Sequence, residues 1–80
     1  MLPVTELIAW LAQQLVDDPD AVRVEEEQRE DAIVLRLHVA PDDVGKVIGR
    51  RGRIARALRT VARAGGVRAP GRVVLEIAED

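Results

Sequence analysis

The stretch Val44-Gly45-Lys46-Val47-Ile48-Gly49-Arg50-Arg51-Gly52-Arg53-Ile54-Ala55-Arg56-Ala57-Leu58-Arg59 contains the turn and the helix on which the fold rests. Val44, Val47 and Ile48 stand at i, i+3 and i+4, the apolar stripe of a short helix that Gly49 ends. A second helix runs from Arg53 to about Ala64. At about 100° per residue, its Arg53, Arg56, Arg59 and Arg63 share roughly one third of the circumference, opposite Ile54, Leu58, Val61 and Ala62. Between the helices lies Gly49-Arg50-Arg51-Gly52. Its glycines allow a sharp turn and a close main-chain approach to a ligand, and the following helix points its N–H groups into the same space. The two arginines add charge-assisted hydrogen bonds of the kind a sugar-phosphate strand accepts.

Two common nucleotide loops do not fit. A Walker A loop needs Lys and then Ser or Thr after its last glycine, whereas Gly52 is followed by Arg53 and Ile54. The dinucleotide fingerprint needs glycines at relative positions 1, 3 and 6, whereas here they stand at 45, 49 and 52. Two glycines alone would be no more than the caps of a helix hairpin. The charge distribution argues for more. The net charge of −2 conceals segregation: residues 1–31 carry −7, residues 32–45 carry −1, and residues 73–80 carry −3. Residues 46–72 hold Lys46 and eight arginines with no acid, giving +9. That is the footprint of a polyanion site on an otherwise acidic body.

Outward from this segment the periodicities are regular. Val4, Leu7, Ile8, Leu11 and Leu15 line one stripe of a helix over residues 2–16, with Pro3 in its first turn and Asp17-Asp18-Pro19 stopping it. Residues 21–28 alternate weakly, and residues 32–39 alternate cleanly with Ile33, Leu35, Leu37 and Val39 on one face. Arg29-Glu30-Asp31 between them fits a hairpin, so the two strands are antiparallel. Pro41-Asp42-Asp43 reads as a helix start, with the acids at the positive end of the dipole, although Ala40 is a poor cap. Gly65-Gly66 closes the second helix of the central segment, and after Pro70 and Gly71 a third strand spans residues 72–78, with Val73, Leu75 and Ile77 inward. The order α-β-β-α-α-β makes the last connection a right-handed crossover, so the third strand is parallel to the second. The expected fold is α+β: one domain over residues 1–80, with a three-stranded mixed sheet and helices packed on one face.

Val47-Ile48-Gly49-Arg50-Arg51-Gly52-Arg53-Ile54, continued by Ala55-Arg56-Ala57-Leu58-Arg59, resembles the signature loop of KH domains, most closely that of the small bacterial single-domain KH proteins of the KhpA family. The element order is similar to the type II KH fold, and the resemblance covers nearly the whole chain. Against the wider KH pattern, the apolar residue expected three places after the second glycine is Ala55, with Ile54 one earlier, a spacing ordinary in the KhpA family. The resemblance implies binding of single-stranded RNA, about four nucleotides held across a narrow cleft. It also implies a role as a post-transcriptional regulator or RNA chaperone. Carried onto this chain, Gly49, Arg50, Arg51 and Gly52 would clamp the backbone, and Val44, Gly45 and Ile48 would floor the cleft under the bases. Lys46, Arg53 and Arg56 would widen the electrostatic footprint. Sequence selectivity should be modest. The resemblance further implies an alternative role as an interaction protein, forming a homodimer or a heterodimer with a second KH protein.

The rest of the composition narrows the function. Trp10 is the only aromatic residue, so the core is aliphatic and no aromatic platform stacks bases. Without Cys, Ser or Tyr, and with Thr5 and Thr60 the only hydroxyls and His38 the only imidazole, the chain lacks a catalytic constellation and is read as not an enzyme. No cofactor or metal is expected: His38 has no second His or Cys to complete a site and reads as a partly exposed strand residue, and Asp42-Asp43 reads as a helix start rather than a magnesium site. Glu25-Glu26-Glu27 reads as a solvated strand end that steers RNA toward the basic side. Trp10 lies beside the stripe of the first helix, as a boundary core residue or part of a subunit contact. The longest uncharged run, residues 7–16, is too short to span a bilayer and has no basic segment before it, so a cytoplasmic protein is expected.

Overall fold

A computed structural model describes residues 3–65 and 71–78. Helix α1 spans Pro3–Leu15, strands β1 and β2 span Arg23–Gln28 and Ala32–His38, helices α2 and α3 span Val44–Ile48 and Arg53–Gly65, and strand β3 spans Arg72–Ile77. The order is the expected one. Single 3₁₀ turns occupy Pro19–Ala21, Pro41–Asp43 and Arg50–Gly52. The first of them shortens β1, which the weak alternation had begun at residue 21, and the second replaces the first turn of the helix expected from Pro41. Leu2, Gly66 and Pro70, to which the sequence reading gave a helix start, a helix end and a loop, lie outside the described residues.

β2 is the central strand, antiparallel to β1 and parallel to β3. The parallel pair follows from the α2–α3 crossover, which returns the chain to the same end of the sheet. Alternation then decides the faces. Ile33, Leu35, Leu37, Val73 and Leu75 are buried with Val4, Ile8, Ala12, Val47, Leu58 and Ala62 in one aliphatic core, closed by the three helices on a single face. α3 inserts small residues, Ala55 and Ala62, on either side of Leu58, which lets it sit close to the sheet.

The other face is ionic. Arg36 donates to Glu27 at 3.1 Å and to Glu76 at 3.3 Å, bridging all three strands, and Arg29 adds a second donor to Glu27 at 3.3 Å. Those guanidinium groups hold the Glu27 carboxyl below its ordinary value. Val34, on this face of the central strand, is buried between its register partners Glu27 and Val74. Trp10 is 56% exposed and is not part of the core, and Leu7 and Leu15 of the same helix are exposed too.

Leu35 is fully buried at the centre of the central strand. Leu35→Ala is expected to lower the unfolding free energy by about 2–5 kcal/mol in urea titrations followed by circular dichroism, because a tight aliphatic core cannot collapse onto the cavity. A loss under about 1 kcal/mol would show the core to be looser than described.

Candidate nucleic-acid interface

The reversal between α2 and α3 takes four residues. Gly49 (φ 76°), Arg51 (φ 58°) and Gly52 (φ 72°) all have left-handed backbone. Gly49 is required twice over, since a Cβ there would also come within 2.6 Å of the Ile54 side chain. Its N–H closes α2 on the Gly45 carbonyl at 2.9 Å. The 3₁₀ turn then ties the N–H of Gly52 to Gly49 O at 3.1 Å and the N–H of Arg53 to Arg50 O. This corrects one detail of the sequence reading: the start of α3 spends its first donors on the turn itself. Among the described residues, no main-chain carbonyl takes the N–H groups of Arg50 and Arg51.

Arg50, Arg51 and Arg53 are exposed, and among the described residues no carboxylate pairs with them. Arg56 is exposed too, and its Nη2 donates to the Arg51 carbonyl at 2.9 Å, stapling α3 to the loop while the guanidinium keeps its charge. Arg59 and Arg63 continue the same face of the helix. Lys46 lies elsewhere in character. Its Nζ is 3.0 Å from Asp17 Oδ2 and 3.2 Å from Asp43 Oδ1, and these two carboxylates hold the ammonium above its ordinary pKa. Of the basic residues picked out around the loop, it is the one that the protein's own acids already occupy.

Asp43 explains why. It is 2% exposed, placed by the turn before α2, and its Oδ2 accepts the Asp18 N–H at 3.0 Å while Oδ1 accepts from Lys46. Rather than facing a helix dipole in water, it pins the segment after α1 to the start of α2. Burial alone would raise its pKa; the backbone N–H groups of Asp18 and Asp17 and the Lys46 ammonium outweigh that and hold the carboxyl below the usual aspartate value. The i, i+3 spacing of Asp43 and Lys46 was a sequence signal for half of this arrangement, but nothing local pointed to Asp18.

Beside the loop, Val44 and Ile48 are half-buried on α2, and Gly45 between them is exposed. A Cβ at Gly45 would meet nothing within 4 Å. Glycine inside a helix costs about 1 kcal/mol relative to alanine, so here packing gives no return for it. Its effect is to leave the outward surface of α2 bare next to the turn. A crevice of about 190 Å³ adjoins Val44, lined also by Ala21, Arg23, His38, Pro41 and Ala78. His38 is mostly buried, with Nε2 against the Glu25 carboxylate, which also pairs with Arg23 at 3.3 Å. Reading His38 as an ordinary strand residue missed this grouping, because it arises from the pairing of Arg23 with His38 across the β1–β2 ladder.

An α-β-β-α-α-β chain with a mixed three-stranded sheet and a Gly-Arg-Arg-Gly turn between its two consecutive helices is a KH domain of the type II order. Residues 5–77 match the KhpA/KhpB KH domain model, and the chain belongs to that family. It is 53% identical over 72 residues to the RNA-binding protein KhpA of Clostridium acetobutylicum, covering 90% of this chain and 96% of that one. With the RNA-binding protein KhpA of Aquifex aeolicus the identity is 48% over 79 residues, 99% of this chain and 100% of the relative. The RNA-binding protein KhpA of Bacillus subtilis is 46% identical over 72 residues, 90% and 89% of the two chains. No solved structure gives a significant match. Among the described residues, no helix is long and apolar enough to cross a membrane.

The Asp43 contacts set an acid limit on stability. Because the folded-state pKa is depressed, their contribution is complete above the unfolded-state value of about 3.9 and is lost as pH falls through the folded value. Asp43→Asn is therefore expected to lower Tm near neutral pH and to lose less Tm than the parent between about pH 5 and about pH 2 in thermal melts. Parallel acid profiles for the two proteins would contradict this assignment.

Proposed function

We propose that the chain binds single-stranded RNA, holding about four nucleotides against the turn between α2 and α3. The observation that carries this reading is a turn with two exposed arginines that, among the described residues, no carboxylate pairs with and whose main-chain N–H groups no carbonyl takes. Phosphate oxygens satisfy both kinds of donor at once. Three relatives that align over about nine tenths or more of the chain are named RNA-binding proteins, which supports the same reading.

In this reading each residue around the turn has its own part. Gly49 and Gly52 shape the turn, Arg50 and Arg51 contact phosphates, and Arg53 and Arg56 extend the positive field along α3. Val44, Gly45 and Ile48 form an aliphatic floor for bases. Lys46 contributes through the field of the site rather than by direct contact, since Asp17 and Asp43 share its charge. With no aromatic platform, base selection rests on small apolar contacts and a few hydrogen bonds, which suits a post-transcriptional regulator or RNA chaperone with many targets.

A second, compatible reading is self-association or pairing with another KH protein. The groove between α1 and α3, about 520 Å³ and walled by Trp10, Leu11, Leu15, Ile54, Ala57 and Val61, favours it. An exposed Trp beside an apolar trough is the composition of an interface centre.

Replacing Arg50 and Arg51 together by Asp is expected to abolish RNA binding with the melting curve unchanged; retained affinity would leave only the adaptor reading. For the parent, neutralising about four phosphates on a single strand predicts a slope of about −3 in log affinity against log salt. A flat response would contradict a phosphate-based grip. In sedimentation experiments at high protein concentration, the parent is expected to dimerise and Trp10→Glu to remain a folded monomer. A parent that stays monomeric throughout would remove the second reading.

A further inference from the structure

We propose that a bound RNA strand does not end at the turn but continues along α3 into a trench between that helix and β3, where Arg59 and Arg63 grip its phosphates and lengthen the footprint to about eight nucleotides. This rests on the RNA-binding reading and adds to it the length of strand held and the direction in which the strand leaves the turn.

The two flanks of α3 differ in kind. Toward α1 the helix presents Ile54, Ala57, Leu58 and Val61, with Arg53 at one end. Toward β3 it presents Arg59 and Arg63, which border a trench of about 340 Å³ completed by Arg72, Val73, Val74 and Leu75. Arg59, Arg63 and Arg72 are exposed, and among the described residues no carboxylate pairs with them. Because Val73 and Leu75 point into the core, alternation puts the Arg72 side chain on the opposite, ionic face of the sheet. The grip is therefore assigned to Arg59 and Arg63, and Arg72 adds charge nearby.

The far side of the trench is an open sheet edge. β3 is an outer strand, and it sends the N–H of Arg72 to Asp31 O at 3.3 Å and that of Ala78 to Leu37 O at 2.9 Å. Even-numbered residues of β3 thus bond to β2, and Val73 and Leu75 turn their main-chain groups to the free edge. A cationic wall, aliphatic side chains and unspent peptide groups together suit an amphipathic polyanion, whose phosphates meet guanidinium while its sugars and bases meet the strand.

The trench is also continuous with the turn. Arg56, Arg59 and Arg63 stand at i, i+3 and i+7, neighbours along one helix face, and the first of them is tied to the Arg51 carbonyl at 2.9 Å. Ten residues at about 1.5 Å each separate Arg53 from Arg63 by about 15 Å along the axis. A stacked strand advances about 3.4 Å per nucleotide, so this row accommodates about four nucleotides beyond those at the turn.

The test uses the whole chain with fluorescent, 5′-phosphorylated tetrauridylate and octauridylate in anisotropy titrations near physiological salt, where a screening length of about 8 Å keeps the remote arginines from acting strongly on a tetranucleotide at the turn. The parent is expected to bind octauridylate more tightly. Arg59→Gln combined with Arg63→Gln, with the thermal melt unchanged, is expected to lose about tenfold on octauridylate and less than about twofold on tetrauridylate. Its slope of log affinity against log salt on octauridylate is expected to be shallower by about 1.4, the share of two phosphates. Arg59→Lys combined with Arg63→Lys is expected to keep most of the parent's affinity. No gain from tetramer to octamer in the parent, an unchanged octauridylate affinity and slope in the glutamine variant, or an equal loss on both probes overturns the longer footprint while leaving RNA binding standing. Should tetrauridylate bind too weakly to titrate, the octauridylate slope decides. Octaglutamate bound as tightly as octauridylate, and released by the same glutamine variant, would assign the trench to an acidic peptide and overturn the proposal. Failure of the parent to bind either RNA at low salt overturns the RNA-binding reading and the longer footprint with it.

Discussion

The chain reverses direction between α2 and α3 within four residues, and the backbone that does so has no latitude. Gly49 must accept a positive φ and must also leave its Cβ position to Ile54, while Arg51 takes a left-handed conformation that costs free energy for a non-glycine residue. What the turn gains is the placement of Arg50 and Arg51 on a corner where, among the described residues, neither their side chains nor their N–H groups are engaged. The aliphatic core serves this placement. Val47 on α2 and Ala55 and Leu58 on α3 are buried, so the two helices that frame the corner are fixed to the sheet on both sides of it.

Electrostatics divides the molecule in the same way. Acids of the N-terminal half find partners close by: Glu27 with Arg29 and Arg36, Glu25 with Arg23 and His38, Asp17 and Asp43 with Lys46. The arginines and the lysine in those pairs are thereby taken from competition for a polyanion. Among the described residues, no carboxylate pairs with the arginines of the turn or of the outward side of α3. A chain of net charge −2 can therefore present a cationic site, because its acids lie outside residues 46–72.

Much of this was legible in the sequence, for an identifiable reason. Residues 32–39 and 72–78 alternate, Ala32, Val34 and Val74 apart, because one face of the sheet is covered by helices, and the 3.6-residue spacing of Leu58 and Ala62 against Arg56, Arg59 and Arg63 records the two sides of α3. The parallel pairing of β2 and β3 followed from chain order alone. The Gly-Arg-Arg-Gly turn was legible because few residue types tolerate its geometry. Asp43 was not, since its role depends on an N–H that is 25 residues away in sequence. Nor was the Arg23–Glu25–His38 grouping, which depends on the register of the β1–β2 ladder, or the outward position of Trp10, since an apolar stripe does not say how far round a helix the sheet reaches.

The central claim is that RNA meets the protein at the turn between α2 and α3. Backbone amide shifts of the ¹⁵N-labelled chain, followed while short single-stranded RNA is added, report on it residue by residue. The account predicts the largest changes at Gly49, Arg50, Arg51 and Gly52, with Gly45 next, and little change on the ionic face around Arg36. Large changes centred on Arg36 and Glu76, with the turn silent, would contradict it.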